Sequence, residues 1–146
     1  MIRITPDMFF DSRRVRRAVD RAKRSVLSKA GAFVRRRARQ LIRPRRRSAR
    51  PGEPPSSHTG LLRRFIYFGY ERESESVVVG PVPFPGRQPY GPQTTVPEVL
   101  ETGGTVTAVE DGEQVTRNYE GNPFMSPALE AERDNFADLW SDSVRR

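Results

Sequence analysis

Apolar residues recur at steps of three and four between about residues 12 and 42, which is the period of one face of an α-helix. Asp11 or Ser12 stands where an amino-terminal cap is expected. A helix of this length would measure about 45 Å at about 1.5 Å per residue, so we expect part of it to project from a small domain or to pack on a neighbour. Gly31 is the expected bend or break, because glycine inside a helix costs about 1 kcal/mol relative to alanine. The apolar positions are Val15, Ala18, Val19, Ala22, Val26, Ala30, Phe33, Val34 and Leu41.

The pattern changes after residue 42. Residues 43–58 show no periodicity and contain four prolines, which predicts an extended, solvated strap without packed structure. Residues 59–70 are rich in aromatic and aliphatic side chains, and a polar segment separates them from the run Val77 to Val79. This arrangement predicts two strands joined as a hairpin.

The remaining segments alternate between irregular and regular patterns. Six prolines between Pro81 and Pro97 indicate a long loop with polyproline character, and residues 96–101 can form a short helix. Residues 105–109 and 114–119 predict a second hairpin, with its turn at Asp111 and Gly112. Ser126 and Pro127 open a final helix, whose apolar stripe is Leu129, Phe136, Leu139, Trp140 and Val144.

Together these segments predict one α+β domain over residues 1–146. A long basic helix spans residues 12–42 and the strap spans residues 43–58. A core with a small antiparallel sheet spans residues 59–125 and includes the proline-rich loop at 81–97. The carboxyl-terminal helix spans residues 126–146.

Positive charge is concentrated at the amino-terminal end of the chain. Eighteen of the 26 basic residues lie in the first fifty, which contain only three acidic residues, and only Lys23 and Lys29 are lysines. Arginine pairs bidentately with phosphate or carboxylate, so this segment is expected to contact an acidic protein surface or nucleic acid. The pattern does not decide between these two partners. The candidate contact residues lie on the polar face of the long helix and are Arg14, Arg17, Arg21, Arg24, Arg35 and Arg39.

Several other classes of function find little support in the composition. The chain has no cysteine, which excludes disulfides and thiolate metal sites. Its apolar runs are too short to span a bilayer, and its start lacks the pattern of a signal peptide, so we expect a soluble protein that is not exported.

The sequence offers no arrangement typical of catalysis. His58 is the only histidine and lies in the strap without an evident catalytic partner. The acids that could hold Mg²⁺ are spread over two segments, and no phosphate-binding glycine loop is present. We therefore expect no enzymatic activity, no metal and no cofactor. The acids in question are Glu98, Glu101, Glu110 and Asp111.

Three short segments together resemble the neck or tail-completion proteins of tailed bacteriophages. They are a Thr-Gly-x-Leu-Arg element at residues 59–66, a Glu-x-Gly element at residues 96–105 and a Pro-Phe-x-x-Pro-Ala-Leu element at residues 122–130. The resemblance covers roughly residues 10–145 and depends on the order and spacing of the segments. Its motif positions, which we interpret as structural, are Thr59, Gly60, Leu61, Glu101, Gly103, Pro123, Phe124, Pro127, Ala128 and Leu129.

This resemblance implies a virion structural protein that is assembled in the host cytoplasm. It would form a six-fold or twelve-fold ring of identical copies where the connector of the head meets the tail. Its partners would be neighbouring connector, head-closure and tail proteins, with DNA as a further partner in the channel and no membrane. We expect the long helix and the proline-rich segments to contact adjacent copies, because the domain has only a modest core of its own.

Two alternatives remain open from the sequence. The first is a free nucleic-acid-binding protein that uses the arginine-rich helix and strap, although base-stacking aromatic residues are missing there. The second is a metal-dependent nuclease, which the dispersed acids support only weakly.

Overall fold

The structure of the protein is a computed structural model that describes residues 11–82, 96–110, 113–141 and 143. It is an α+β fold with a long amino-terminal helix, as predicted. The elements in chain order are α1 (Ser12–Leu41), α2 (Leu61–Arg64), β1 (Ile66–Glu71), β2 (Ser76–Pro81), α3 (Val96–Thr102), β3 (Gly104–Glu110), β4 (Glu113–Tyr119), α4 (Met125–Arg133) and α5 (Asn135–Ser141).

The strands form two antiparallel hairpins. In the first, β1 pairs with β2 from Ile66 opposite Pro81 to Glu71 opposite Ser76. In the second, β3 pairs with β4 from Gly104 opposite Tyr119. Within the described residues each hairpin is a separate two-stranded sheet, so the predicted small antiparallel sheet is present as two sheets.

Helix α1 begins at its predicted cap and runs without a break. The Asp11 carboxylate accepts a hydrogen bond from the backbone N–H of Arg14 at 3.0 Å, and the helix ends at Leu41. The break expected at Gly31 is wrong, because Gly31 is buried where the first hairpin crosses the helix. A Cβ atom at this position would lie only 2.6 Å from Val77 Cγ2, so the glycine allows close packing.

The core lies between the carboxyl-terminal half of α1, the start of β1 and α4. Both α4 and the first hairpin contact α1. Ala38 and Ala128 are completely buried in this core, and their small side chains allow α1 and α4 to approach closely. The buried cluster consists of Val34, Ala38, Ile42, Leu62, Ile66, Phe124 and Ala128.

The strap over residues 43–58 is anchored to the domain, which corrects the prediction of an unpacked connector. The Asn122 side chain donates to the carbonyl oxygens of Arg50 at 2.5 Å and Glu53 at 2.8 Å. The backbone N–H of Ser57 donates to the Arg43 carbonyl at 3.0 Å. A carboxamide can satisfy two carbonyl groups at once, and sequence periodicity carries no signal for such a contact.

The boundaries of two other elements also differ from the predictions. The strand expected to follow the turn or cap at Thr59 and Gly60 begins only at Ile66, because residues 61–64 form the short helix α2. The final helix is divided between Arg133 and Asn135 into α4 and α5. The turn predicted at residues 111–112, most of the proline-rich loop and Val144 lie outside the described residues.

Candidate interaction surface

The amino-terminal half of α1 projects from the domain. Every described residue from 11 to 21 is exposed, including the apolar Val15 (45%) and Val19 (46%). Farther along the same face, Val26 is buried. We call the apolar positions of this projecting half the stripe: Val15, Ala18, Val19 and Ala22.

Three of the six candidate arginines form one exposed basic face on this projecting half. Arg14, Arg17 and Arg21 are exposed, and none of them forms a salt bridge with an acidic residue in the described part of the chain. Their spacing of three and four residues places them on one side of the helix. They are therefore available for a partner.

The other three candidates contact the domain or are partly buried. The Arg24 guanidinium lies 5.7 Å from the centre of the Tyr70 ring, a cation–π geometry. Arg35 is used within the fold, because its Nε donates to the Ile66 carbonyl oxygen at 2.7 Å and its guanidinium lies over Tyr67. Arg39 is half-buried in the last turn of α1. The six arginines predicted as one contact surface therefore belong to different environments.

An ion pair between a buried carboxylate and a partly exposed arginine joins α1 to α4, and the sequence analysis missed it. Arg37 Nε donates to Glu132 Oε1 at 2.8 Å, and Asn135 Nδ2 donates to Glu132 Oε2 at 3.1 Å. The Glu132 side chain is only 4% exposed. A sequence signal existed, since Glu132 stands four residues after Ala128 and four before Phe136, on the face of the final helix that packs inward.

An apolar groove lies between α1, the first hairpin and the two closing helices. Its volume is about 390 Å³. Leu129 and Trp140, which were predicted on the apolar stripe of the final helix, line it and remain 47% and 44% exposed. We call this feature the groove, and its lining is Val26, Leu27, Ala30, Gly31, Val34, Val77, Val79, Met125, Ser126, Leu129, Phe136 and Trp140.

Glu101 caps the amino terminus of α4 from a distant part of the chain. Its carboxylate accepts hydrogen bonds from the backbone N–H groups of Phe124, Met125 and Ser126 at 2.8 to 3.0 Å, and from the Ser126 hydroxyl at 2.7 Å. Burial raises the pKa of this carboxyl, but the hydrogen bonds to its charged form outweigh burial and hold the pKa below its ordinary value. The first turn of a helix has unsatisfied N–H groups, and Glu101 supplies the acceptor that Phe124 lacks.

Gly103 allows the end of α3 to lie close to the residues before α4. Its φ angle is +71°, in the left-handed region that favours glycine. A Cβ atom there would lie 2.8 Å from both Gly121 N and Tyr119 O. The Glu-x-Gly element therefore brings α3 and the start of α4 together.

The remaining motif positions lie around the same core. Gly60 has a left-handed φ of +75°, and Thr59 Oγ1 accepts a weak hydrogen bond from Leu61 N at 3.4 Å. Leu61 itself is exposed, while its neighbour Leu62 is buried. Pro123 precedes α4 by two residues. Pro127 lies in the first turn of α4, where the missing N–H costs little.

The described residues show little that could support catalysis. They contain no group of three histidine, aspartate or glutamate side chains close enough to hold a metal ion. His58 is exposed on the strap, and the side chains of Glu110 and Asp111 lie outside the described part. None of the described helices combines the length and apolar character needed to cross a membrane.

Comparisons with known proteins found no relative. The chain matches no protein-family model, no curated protein and no solved structure. The geometry described above and the sequence motifs are therefore what a functional interpretation must depend on.

Proposed function

We propose that this chain is a structural subunit of a homo-oligomeric ring at the head–tail junction of a tailed bacteriophage. In this role it joins the connector to the tail around the path of the DNA. The observation that carries the proposal is the pair of exposed apolar surfaces, the stripe and the groove, on one small domain. Apolar surface of this kind marks an interaction site, and a ring of copies is a way to cover it.

The arrangement of the motif residues supports the resemblance to neck proteins. Glu101 from the second motif binds the backbone of Phe124, Met125 and Ser126 from the third. Leu62 from the first motif packs in the same core as Phe124 and Ala128. Three segments that are far apart in sequence thus form one structural unit, which gives a physical reason for their common order and spacing.

The basic face supplies a second contact. Arg14, Arg17 and Arg21 extend beyond the core on a rigid helix, and exposed guanidinium groups suit carboxylate or phosphate partners. In a ring, this face would contact an acidic neighbouring component or the DNA in the channel.

Light scattering coupled to gel filtration tests the proposal. We expect discrete ring-sized particles, and addition of the chain to tail-less heads should place it at the connector in electron micrographs. A compact monomer that does not associate with head or tail would contradict the proposal.

The alternative of a free nucleic-acid-binding protein is favoured by the same three arginines, which form no salt bridge with the acidic residues that the structure describes. It predicts a monomer whose affinity for duplex DNA falls by about 0.9 log units per log unit of salt for each phosphate neutralised. Replacing Arg14, Arg17 and Arg21 with alanine should then reduce this slope. Arg133→Ala is a suitable control, because Arg133 is exposed on α4 and pairs with Glu130.

A further inference from the structure

We propose that the stripe on α1 of one copy packs into the groove of a second copy of this chain. The inference depends on the proposed homo-oligomer and identifies the two surfaces that form its contact. The stripe offers Val15 and Val19, which are both nearly half exposed. The groove offers Leu129 and Trp140, which are exposed to a similar extent.

The chemistry of the groove suits an apolar helix face. Ser126 is the only hydroxyl-bearing residue among the groove-lining residues, and its hydroxyl already binds Glu101. A small polar ligand needs a few free polar groups to orient it, and this lining provides almost none. Valine and alanine side chains from a helix need only apolar contact.

The stripe cannot fill the groove of its own copy. Both features include residues of α1, which is one unbroken helix from Ser12 to Leu41. Val15 lies eleven residues before Val26, which lines the groove, and this separation is about 16 Å along the axis at about 1.5 Å per residue. A rigid helix keeps the two apart, so the occupant that carries this stripe must be another copy.

Charge complementarity also favours a second copy. Residues 12–25 carry six arginines and one lysine against a single aspartate. On the other side of the contact, Glu130 and Asp138 are exposed on α4 and α5, and Asp134 is exposed between the two helices. Arg133, which pairs with Glu130, is the only basic residue in this segment. Basic residues that flank the stripe would therefore face acidic residues that flank the groove, which steers the two surfaces together.

The contact has a consequence for assembly. The stripe and the groove are different surfaces, so two joined copies still carry one free stripe and one free groove. Further copies can add in the same way until the rotation closes a ring. The contact thus provides the head-to-tail interface that the proposed function requires.

Disulfide trapping tests the contact directly, because the chain has no native cysteine. Full-length Val19→Cys is mixed with full-length Leu129→Cys and oxidised, and peptide mass spectrometry identifies the mixed disulfide. We expect a several-fold higher yield than for Val19→Cys mixed with Ser48→Cys, since Ser48 is exposed on the strap and is not part of the groove lining.

A pair of charge variants gives an independent measurement. Val19→Asp and Leu129→Asp should each shift the association of the full chain to several-fold higher concentration in light scattering, whereas Ser48→Asp should leave it unchanged. Ring-sized particles that resist both variants and yield no mixed disulfide would overturn this inference and leave the proposed ring intact. A wild-type chain that stays a monomer and yields no mixed disulfide would overturn both.

Discussion

The two halves of α1 continue one apolar pattern into two different environments. From the middle of the helix onward, Val26, Ala30 and Val34 are buried against the hairpin and the closing helices. In the amino-terminal half, Val15 and Val19 keep the same spacing but contact no such layer, and both are exposed. Periodicity therefore identifies the face of the helix that avoids water, whereas other elements of the fold decide how much of that face is covered.

The charged residues of α1 show the same contrast. Arg35 and Arg37 bind a backbone carbonyl and a buried carboxylate within the domain. Arg14 and Arg17, in the first two turns of the same helix, are exposed. The carboxyl-terminal arginines thus contribute to the stability of the fold, and the amino-terminal ones are available to partners.

The two halves of α1 should differ most in the free energy of unfolding that is lost when one arginine is removed from each. Arg37→Ala leaves the buried Glu132 carboxylate with Asn135 as its one remaining hydrogen-bond partner in the described part of the chain. Removing a hydrogen-bond partner from a buried charged acceptor costs about 3 kcal/mol, whereas Arg17→Ala should change the free energy of unfolding by less than about 0.5 kcal/mol. Urea denaturation of dilute protein measures both values. Equal denaturation midpoints for the two variants would contradict the expected difference in stability between the two halves of α1.

A smaller difference is expected from one apolar substitution made in each half. Val34→Ala removes two buried methylene equivalents at about 0.8 kcal/mol each and leaves a small cavity, so we expect a loss of about 2 kcal/mol. Val19→Ala should leave the free energy of unfolding of the monomer nearly unchanged, because the side chain is already nearly half exposed and alanine favours the helix more than valine does. Thermal denaturation of both variants makes the comparison, and a similar loss for Val19→Ala would show that the projecting half is covered within its own chain.

Much of this architecture could be predicted from the sequence, and α1 shows why. Its spacing and the cap at Asp11 depend on neighbours within one turn, and such local rules are readable without a structure. The two hairpins were predicted for the same reason, since each pairs segments that are adjacent in the chain.

The contacts that escaped prediction join residues far apart in sequence. Asn122 holds the strap across about seventy residues, and Glu132 binds Arg37 across 95. Gly31 was interpreted as a weak point in the helix, because the side chain of Val77 that requires it belongs to another element. The groove was not predicted either, because residues from four separate elements form it.

Glu101 allows a third test, directed at the helix that covers the carboxyl-terminal half of α1. Glu101→Ala removes the acceptor of three backbone N–H groups at the start of α4. Loss of a helix cap costs about 1 to 2 kcal/mol, and Glu98→Ala is a matched control because Glu98 is exposed on the same helix, α3. Denaturation midpoints should fall for Glu101→Ala only.

The pH dependence of the stability of Glu101→Gln tests whether the charge of the Glu101 carboxylate stabilises α4. The pKa of Glu101 is lower in the folded protein than its ordinary value of 4.5. Its charged form therefore contributes stability above pH 4.5, and this contribution is lost as the pH falls through the lower folded value. The difference in free energy of unfolding between wild type and Glu101→Gln should shrink as the solution is acidified. A difference that stays constant would show that the carboxylate charge does not stabilise α4.

The smallest expected effect on the free energy of unfolding concerns Gly31, where α1 packs against the first hairpin. Alanine improves helix propensity by about 1 kcal/mol, but its Cβ would lie 2.6 Å from Val77 Cγ2 and 3.0 Å from Phe68 Cδ2. Val77 is β-branched and held in strand β2, so its side chain has few alternative rotamers, and such overpacking costs about 1 to 3 kcal/mol. We expect Gly31→Ala to lower the free energy of unfolding by about 1 kcal/mol, while Ser25→Ala, at an exposed position of the same helix, raises it by a few tenths. If Gly31→Ala instead stabilises the protein as much as Ser25→Ala does, the hairpin does not pack tightly on α1, and the buried half of the helix would differ from the projecting half less than the structure indicates.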